Sequence, residues 1–395
     1  MLGGVFRVSQ RLGRLEPANR LSRRFGQLLA AGAEVIDLAD TNPTHWGLAN
    51  GPALDALARE VAAHRPYDPD PRGPVAARQA LAVRMGGHPD DYLLAAGTSE
   101  LYGWLFALLC DPGDRIAVPR PGYPLFDALA RIHDVEVVTY DLGYAHPGGW
   151  RADPDQLAGL VRLPRMRAVV VVAPGNPTGS YLRPAEREAL VTAAGAAGVP
   201  IIADEVFRPY PLDAAPVPDP LAGQTCCPTF ALGGASKVLC LPQAKVSWMR
   251  VSGVTGSERA ELWRRLELVA DTDLCLCGPV GAALPAMLAS ADAGIARTRA
   301  RLAANLAAAR RVFGGVGSPY RVRRCDGGWT ALVEVPRPVD DEALAYALLD
   351  RGHVRAFPGY FYDSDETGLL ALSLLLDPDV FAAGCGRVRA VIDAL

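Results

Sequence analysis

Lys237 is the residue best placed for covalent chemistry in this sequence. It ends the segment Phe230-Ala-Leu-Gly-Gly-Ala-Ser-Lys237, in which a β-like run is followed by a Gly-Gly-Ala-Ser turn. This setting favours a desolvated, neutral amine, and such an amine can attack an aldehyde and form a Schiff base. Because most lysines are surface charges, Lys237 alone does not establish this chemistry, and other segments must supply its partners.

Asp204 is a candidate partner for a cationic ring. It comes directly after the apolar run Ile201-Ile-Ala203, so we expect its carboxylate at the end of a strand and partly buried. A buried carboxylate is costly unless it is paired. A protonated pyridine nitrogen, such as that of pyridoxal phosphate (PLP), is a suitable partner and would keep the ring able to accept electrons. A helix N-cap or an ion pair explains Asp204 equally well when it is considered alone.

Two loop residues offer further contacts to such a ring. Asn176 lies in a Pro-Gly-Asn-Pro turn after the run Val169-Val-Val-Val172, and its amide could donate to the phenolic oxygen of PLP. Tyr123, in Arg120-Pro-Gly-Tyr-Pro124, could stack on the face of the ring. The structural alternatives are a turn-forming asparagine and a tyrosine that packs within its own loop.

The segment Ala95-Ala-Gly-Thr-Ser-Glu100 precedes a predicted helix, Leu101 to Leu109, and resembles an anion site. The backbone N–H groups of Gly97, Thr98 and Ser99 would be free at the start of that helix, where they can bind a phosphate. Ser236 and the cationic Lys245 could complete the site. An ordinary helix cap is the alternative.

Together these segments resemble the class I/II aminotransferases, which are fold type I PLP enzymes. The resemblance extends from Leu38-Ala-Asp-Thr-Asn-Pro43 to Leu374, and rests on the joint occurrence of Asn-Pro-x-Gly, Asp-Glu-Val and Ser-Lys. It implies that Lys237 forms the Schiff base with PLP, that Asp204 pairs with the pyridine nitrogen, and that Asn176 contacts the phenolic oxygen.

The same resemblance implies ring-stacking, phosphate-binding and intersubunit residues. Tyr123 would stack on the ring, and Thr98, Ser99 and Ser236 would serve the phosphate. Enzymes of this family are dimers in which a tyrosine of a Tyr-x-x-x-x-x-Gly segment reaches the neighbouring subunit's phosphate. Tyr67 is the candidate here, so we expect a homodimer. A Pro-rich loop that packs on its own domain is the alternative.

Three positions depart from the family pattern. Lys245 stands where an arginine is usual, so it offers a point charge to the phosphate without the bidentate fork. Phe207 stands where a tyrosine commonly donates to the phenolic oxygen, so we expect a higher pKa of the Schiff base than in relatives with that tyrosine. Ala371, in the apolar strand Leu370-Ala-Leu-Ser-Leu-Leu375, stands where an arginine clamps the substrate carboxylate.

The substrate contacts must therefore differ from those of the familiar members. Either another base, Arg355, Arg208 or Arg120, binds the carboxylate, or the amine substrate has none at that place. Solvation at the surface is the structural alternative for each arginine. We expect Asn42, Asn176 and Arg355 to contact the substrate, a small-molecule amine.

The elements that position these residues form an α/β fold. Continuous apolar runs from about residue 90 to 253 alternate with helical stretches, which predicts a large domain with a mainly parallel sheet flanked by helices. Ligands in such sheets bind at the carboxyl ends of the strands, where the motifs lie. A smaller C-terminal α+β domain follows, with a long exposed helix from Arg297 to Phe313. We expect an N-terminal arm (1–45) that joins the small domain, a PLP-binding domain (46–285) and the small domain (286–395).

Composition narrows the classes of function. The chain has 395 residues and a net charge of −3, so nothing indicates a nucleic-acid surface. No apolar run is long and uncharged enough to predict a bilayer span, and the N-terminus lacks the order of a secretory signal. The eight cysteines are expected to be core thiols rather than disulfides or metal ligands. These features predict a cytoplasmic enzyme.

The predicted function is a PLP-dependent aminotransferase, in which Lys237 also moves the proton between the substrate Cα and the cofactor. The alternative is a PLP-dependent lyase, a γ-replacement enzyme or a C–C bond-forming enzyme of specialised metabolism. A non-catalytic regulator that keeps this fold is disfavoured, because a pseudoenzyme does not need Lys237, Asp204 and Asn176 together.

Overall fold

The computed structural model describes residues 9, 11, 19–63, 66–214, 216–274 and 276–395. Helices surround the sheets and supply much of the core. The described helices are α1 (Arg20–Ala30), α2 (Gly51–Ala62), α3 (Val75–Met85), α4 (Thr98–Leu109), α5 (Phe126–Ile132), α6 (Pro154–Leu160), α7 (Pro184–Ala197), α8 (Ala235–Val238), α9 (Gly256–Thr272), α10 (Gly278–Ala289), α11 (Ala291–Phe313), α12 (Asp341–Gly352) and α13 (Pro378–Asp393).

The strands form one large sheet and two smaller ones. Their bounds are β1 (Ile36–Asp37), β2 (Tyr92–Ala95), β3 (Arg115–Arg120), β4 (Glu136–Ala145), β5 (Gly149–Ala152), β6 (Met166–Val172), β7 (Ile201–Asp204), β8 (Thr229–Gly234), β9 (Ser247–Ser252), β10 (Arg321–Val322), β11 (Thr330–Glu334), β12 (Val354–Arg355), β13 (Phe357–Pro358) and β14 (Leu369–Ser373).

The large sheet has the order β2-β9-β8-β7-β6-β3-β4-β5. Strands β8, β7, β6, β3 and β4 run parallel to one another, whereas β9 and β5 are antiparallel to their neighbours. The centre of β6 and all but the last residue of β7 are buried. Because helices cover both faces, these strands are apolar along their length rather than alternating. The predicted mainly parallel α/β architecture is confirmed.

The topology brings the carboxyl ends of six strands to one edge of the sheet. Strand β9 separates β2 from β8, and both are antiparallel to it, so β2 runs in the same direction as β8. Ala95 and Gly234 are both in register with Ser247, and Val172 is in register with Asp204. The loops that follow β2, β3, β6, β7 and β8 therefore meet at this edge, which is where ligands bind in such sheets.

The C-terminal part contains a four-stranded antiparallel sheet of order β10-β11-β14-β13. Strand β1 pairs in parallel with β12, which ties the N-terminal segment to this part of the chain. The predicted domain boundary after residue 285 falls within α10, so a division there would cut a continuous helix.

Two expectations about exposure were wrong in part. Helix α11 begins at Ala291 and is not a generally exposed helix, because it buries one face that includes Leu302, Leu306 and Phe313. Apolar residues three and four positions apart share a helix face, and that face packs on the C-terminal core. Among the described cysteines, Cys226 and Cys277 are exposed rather than in the core.

No described helix by itself has the length and apolar character needed to cross a membrane. The bent pair of α10 and α11 meets that criterion only when the two helices are taken together.

Candidate active site

Lys237 lies on α8, the short helix that follows β8. Its Nζ atom is 5.0 Å from the ring centre of Phe207 and 4.7 Å from that of Trp329. The two rings pack edge to face with their centres 5.4 Å apart. On the main chain, the Tyr210 hydroxyl donates to the Lys237 carbonyl oxygen over 2.6 Å. The side chain therefore lies against two aromatic rings, and the hydrogen bond from Tyr210 holds the backbone of its helix.

Asp204 ends β7, at the edge of the sheet predicted for it, and is partly buried. One carboxylate oxygen accepts the hydroxyl of Tyr102 over 3.0 Å, and the other accepts the N–H of Val206 over 3.2 Å. Tyr102 is fully buried on α4, and burial, followed by the charge of Asp204, raises the pKa of its phenol well above the usual value. The phenol therefore stays protonated and acts as a donor to the carboxylate.

Burial and charge act in opposite directions on Lys237 and Asp204. Burial lowers the pKa of the Lys237 ammonium, although the negative charge of Asp204 raises it. Burial raises the pKa of Asp204, against the donors Val206 and Tyr102 and the charge of Lys237. Both side chains are thus biased toward their neutral forms. Such a pair provides a nucleophilic amine, and a carboxyl group that a cationic partner would ionise.

Asn176 follows β6 and has an unsatisfied side chain. Its amide oxygen is buried without a hydrogen-bond partner among the described residues. Buried polar groups without partners are rare in folded proteins, and each calls for an explanation such as a bound ligand. The unpaired oxygen calls for a donor, whereas the N–H of the same amide could donate to a ring oxygen. A ring with a hydroxyl beside Asn176, a ring nitrogen beside Asp204 and an aldehyde beside Lys237 fits these three residues. PLP has all three groups.

The N-terminus of α4 forms a cradle with Lys245. Helix α4 begins at Thr98 rather than at Leu101, and its N-cap Gly97 provides no side-chain cap. The Nζ atom of Lys245 lies 3.5 Å from the place that a Cβ on residue 97 would occupy. A cation beside free helix N–H groups is unfavourable unless an anion lies between them. The arrangement therefore fits the phosphate of PLP, with Thr98 and Ser99 in the first turn.

Lys237 and Lys245 are the only lysines in the sequence, in which 40 residues are lysine or arginine. Both belong to the group of residues that fits PLP, and every other basic side chain of that count is an arginine. Sequence reasoning did not use this signal. It distinguishes Lys237 and Lys245 from the surface charges more sharply than their local motifs do.

The remaining cofactor candidates have fewer contacts. Ser236 lies beside Lys237 on α8 and is partly buried. Tyr123 lies in the loop after β3, at the same edge of the sheet, and is 50% exposed. Tyr67 is 76% exposed, which leaves its ring free on this chain. His64 and Arg65, which begin the predicted intersubunit segment, lie outside the described residues.

The residues proposed from the sequence for the substrate are largely engaged elsewhere. Two guanidinium nitrogens of Arg355 bind the carboxylate of Asp37. The guanidinium also lies 3.9 Å from the ring centre of Phe25. The Asn42 side-chain oxygen accepts the N–H and the hydroxyl of Thr44. Asn176 differs from these two because its amide oxygen remains unpaired.

Three residues of the site were not found from the sequence: Tyr102, Trp329 and Tyr210. Tyr102 lies one helical turn after Thr98, so the predicted helix and its 3.6-residue period were sufficient to place it near the site. Trp329 and Tyr210 pack together, with ring centres 5.3 Å apart. They reach Lys237 from loops distant in sequence, for which no local pattern exists.

A comparison with known families matches residues 57–385 to the aminotransferase class I and II profile. The alanine aminotransferase of Mycobacterium tuberculosis is 26% identical over 376 residues, covering 90% of this chain and 78% of that protein. The arginine–pyruvate transaminase of Pseudomonas aeruginosa is 29% identical over 359 residues, covering 85% of each chain.

Solved structures have the same fold. The alanine aminotransferase of Pyrococcus furiosus superposes with a TM-score of 0.88 at 20% identity, covering 98% of this chain and all of that chain. An aspartate aminotransferase double mutant of Thermus thermophilus gives a TM-score of 0.82 at 19% identity, with 98% and 100% coverage. At these identities the likeness concerns the fold, and the family assignment rests on the profile match. The chain belongs to the class I and II aminotransferases, a family of PLP-dependent transferases.

Proposed function

We propose that this aminotransferase attaches PLP to Lys237 and holds the ring between Asp204, Asn176 and Tyr123. The observation that carries the proposal is the position of Lys237 and Asp204 after the neighbouring strands β8 and β7, with the Lys237 amine 4.7 Å and 5.0 Å from two aromatic ring centres. PLP, when bound, supplies an electron sink that stabilises negative charge on the substrate carbon bearing the amine.

The residues of the chain take complementary roles in this proposal. The neutral amine of Lys237 accepts a proton from the substrate carbon and returns it, as a general base and acid. The Asp204 carboxylate keeps the ring nitrogen protonated, and Tyr102 holds that carboxylate in place. The amide of Asn176 donates to the phenolic oxygen. The aromatic rings of Phe207 and Trp329 exclude water from the Lys237 amine.

The phosphate is proposed to bind at the start of α4. The N–H groups of Gly97, Thr98 and Ser99 and the hydroxyls of Thr98, Ser99 and Ser236 would donate to it, and Lys245 would neutralise its charge. The support is the position of the Lys245 ammonium against Gly97, where an anion would relieve the repulsion between the cation and the helix N-terminus.

Because the chain has two lysines, one experiment tests the attachment site directly. PLP is added, the bond is reduced with borohydride, and peptides are mapped by mass spectrometry. We expect the cofactor mass on the peptide containing Lys237, and no label in a Lys237→Ala variant. Lys245→Ala is the matched control, in which Lys237 should still be labelled although more PLP is needed. Label that persists in Lys237→Ala would overturn the assignment.

The proposed substrate is a small-molecule amine that transfers its amino group to a carbonyl acceptor. The relatives named above are an alanine aminotransferase and an arginine–pyruvate transaminase, which supports transamination over the lyase, γ-replacement and C–C bond-forming alternatives. Conversion of the PLP form to the pyridoxamine phosphate form by an amine alone, followed by its reversal with a carbonyl acceptor (an aldehyde or a keto acid), tests this step.

We further propose a homodimer in which Tyr67 binds the phosphate of the neighbouring subunit. Its support is the 76% exposure of Tyr67 on the single chain. The division into an N-terminal arm, a large PLP-binding domain and a small C-terminal domain is also a proposal, with the junction moved to the break between α10 and α11. A cytoplasmic location, and the expectation that neither nucleic acid nor membrane is bound, stay predictions.

A further inference from the structure

The place of the family's carboxylate-binding arginine is filled by an apolar cluster. Ala371 is buried on β14 and belongs to a cluster with Trp150 of β5 and Leu332 of β11. Tyr144 and Tyr362 pack against this cluster. Trp150 is itself almost wholly buried, so its indole occupies volume that a long side chain at residue 371 would need.

This cluster borders the active site. The N–H of Gly122 donates to the carbonyl oxygen of Tyr362 over 3.0 Å, which joins the cluster to the loop that carries Tyr123. On the other side, the N–H of Leu374, just after β14, donates to the carbonyl oxygen of Trp329 over 2.8 Å. The side chain of Trp329 reaches Lys237. The cluster is therefore joined to the loop that carries Tyr123 and, through β14, to the segment that carries Trp329.

The guanidinium of Arg323 packs on two rings of this cluster, and it is paired with two carboxylates. Its nitrogens bind the carboxylates of Glu334 and Glu366, and the group lies 4.4 Å from the ring centre of Tyr144 and 4.9 Å from that of Trp150. With two carboxylates already bound, Arg323 carries no surplus positive charge for a third.

The arginines suggested by the sequence have partners as well. Arg120 binds Asp141 over 2.8 Å and Asp365 over 2.9 Å. Arg208 donates to the carbonyl oxygen of Pro218 over 2.7 Å. Arg355 is paired with Asp37, as described above. Recruiting Arg120 or Arg355 for a substrate carboxylate would require breaking an ion pair, and the charge of Arg208 already acts on the buried carboxylate of Glu205.

We infer that the preferred substrates are primary amines that carry no carboxylate on the carbon bearing the amino group. This inference rests on the proposed transaminase function. A substrate carboxylate placed against the wall of Ala371, Tyr144 and Tyr362 would lose its hydration without gaining a cation, which is unfavourable. A hydrogen atom or an apolar substituent at that place has little hydration to lose, and it gains contact with the apolar cluster.

Matched pairs that differ only in the carboxylate test the inference on the enzyme with PLP bound. The pairs are phenethylamine with L-phenylalanine, isoamylamine with L-leucine, and agmatine with L-arginine. Stopped-flow absorbance follows formation of the pyridoxamine phosphate form. The amine of a reactive pair should exceed its amino acid in kcat/KM by about tenfold or more, the value of one charge-assisted hydrogen bond.

The outcomes separate this inference from the function on which it rests. Faster reaction of the amino acid in every reactive pair would overturn the inference and leave transamination intact. Absence of reaction with all six compounds, with PLP attached to Lys237, would contradict the proposed transamination and the inference with it.

A binding measurement gives a second readout without turnover. In the Lys237→Ala protein with PLP, an added amine binds but is not processed, and the absorbance shift gives its dissociation constant. Tighter binding of the amine than of its amino acid supports the inference, and the reverse order contradicts it. The measurement does not depend on proton transfer by Lys237, so it isolates recognition of the substrate.

A double substitution restores the cation that the wall excludes. Trp150→Ala creates space, and Ala371→Arg then places a guanidinium where the family's clamp would lie. Relative to the Trp150→Ala control, the double variant should shift its preference toward the amino acid by about tenfold. A folded double variant with the same substrate preference as Trp150→Ala would show that the apolar cluster does not cause the preference for amines. If the double variant does not fold, the wild-type pairs decide.

Discussion

The chemistry of Lys237 is set by its immediate surroundings rather than by its sequence motif. Two aromatic rings lie within 5.0 Å of its amine, and burial lowers the pKa of the ammonium below its usual 10.5. The Asp204 charge opposes this shift but does not reverse it. A larger fraction of Lys237 is therefore the free amine near neutral pH than for an exposed lysine.

This pKa predicts how covalent capture of PLP by the apoenzyme depends on pH. Only the free amine attacks, so the capture rate should rise with pH and level off below pH 10.5, as expected for a lowered pKa. In Asp204→Asn the charge that raises the Lys237 pKa is lost, so the midpoint should move to still lower pH. Stopped-flow absorbance measures both profiles. A wild-type rate that continues to rise through pH 10.5 would contradict the prediction.

Phe207 makes a second prediction at the residue scale. Its ring lies beside the Lys237 amine and has no hydroxyl to donate to the phenolic oxygen. In Phe207→Tyr a new donor would stabilise the deprotonated Schiff base, so its pKa should fall by about one unit, which is the effect of one hydrogen bond to a charged group. Absorbance titration of the enzyme with PLP measures the pKa. Phe207→Leu, which adds no donor, is the control, and an equal fall in both variants would refute the argument.

Residue types and their order were sufficient to expect Lys237, Asp204 and Asn176 at the carboxyl ends of neighbouring strands, because each follows a recognisable apolar strand. They were not sufficient for Trp329, which reaches the site only after the C-terminal sheet has formed. They did not reveal the partner of Arg355, because the pairing of β1 with β12 sets it beside Asp37. Such long-range partners follow from topology, which a local pattern does not encode.

At the scale of elements, α4 serves both ends of the proposed cofactor site. Its N-terminus offers free N–H groups for the phosphate, and Tyr102, one turn later, donates to Asp204. Because a helix is rigid over one turn, the phosphate site and the carboxylate are held at a fixed separation. The prediction of a helix here was confirmed, and its start at Thr98 brings both hydroxyl-bearing residues into the first turn.

Tyr102→Phe should affect stability and cofactor binding together. Loss of a hydrogen bond to a buried carboxylate costs about 1–2 kcal/mol in the free energy of unfolding. Because the Tyr102 hydroxyl lowers the Asp204 pKa, its removal raises that pKa, and tight PLP binding should require a higher pH. Denaturant titration measures the change in the free energy of unfolding. PLP dissociation constants measured from about pH 5 to about pH 9 give the pH dependence of binding.

Tyr140→Phe is the matched control for this change. Tyr140 is also fully buried, and its hydroxyl donates to the carbonyl oxygen of Val170 over 2.9 Å. Its loss should lower stability similarly, while the pH dependence of PLP binding stays as in the wild type. If both variants shift the pH dependence equally, the effect does not come from the Tyr102–Asp204 contact.

The strands were predictable because burial on both faces leaves a continuous apolar run, as in β6 and β7. The face of α11 was not predicted correctly. Its sequence is rich in alanine and arginine, and alanine is compatible with both solvent and core. Ala308 and Ala309 are buried against the C-terminal core, although nothing in their type demands it.

At the scale of the whole molecule, the proposed site draws on distant parts of one chain. Lys237 and Asp204 come from the large sheet, whereas Trp329 precedes β11 of the C-terminal sheet. The Arg120–Asp365 ion pair and the Gly122–Tyr362 hydrogen bond also join these parts beside the site. The two sheets must therefore be correctly docked before the Lys237 amine is enclosed.

The proposed homodimer extends this dependence to a second chain and leads to a complementation experiment. Tyr67→Phe should weaken PLP binding by about tenfold through loss of one hydrogen bond to the phosphate, and Lys237→Ala should abolish covalent attachment. In a hybrid dimer of these two variants, Tyr67 acting across the interface would leave one complete site, formed by Lys237 of one chain and Tyr67 of the other. The hybrid should regain wild-type affinity at half the sites, measured by absorbance titration of differently tagged, co-purified chains. If Tyr67 instead serves its own chain, every Lys237 in the hybrid lies beside the substituted residue 67 and no site recovers.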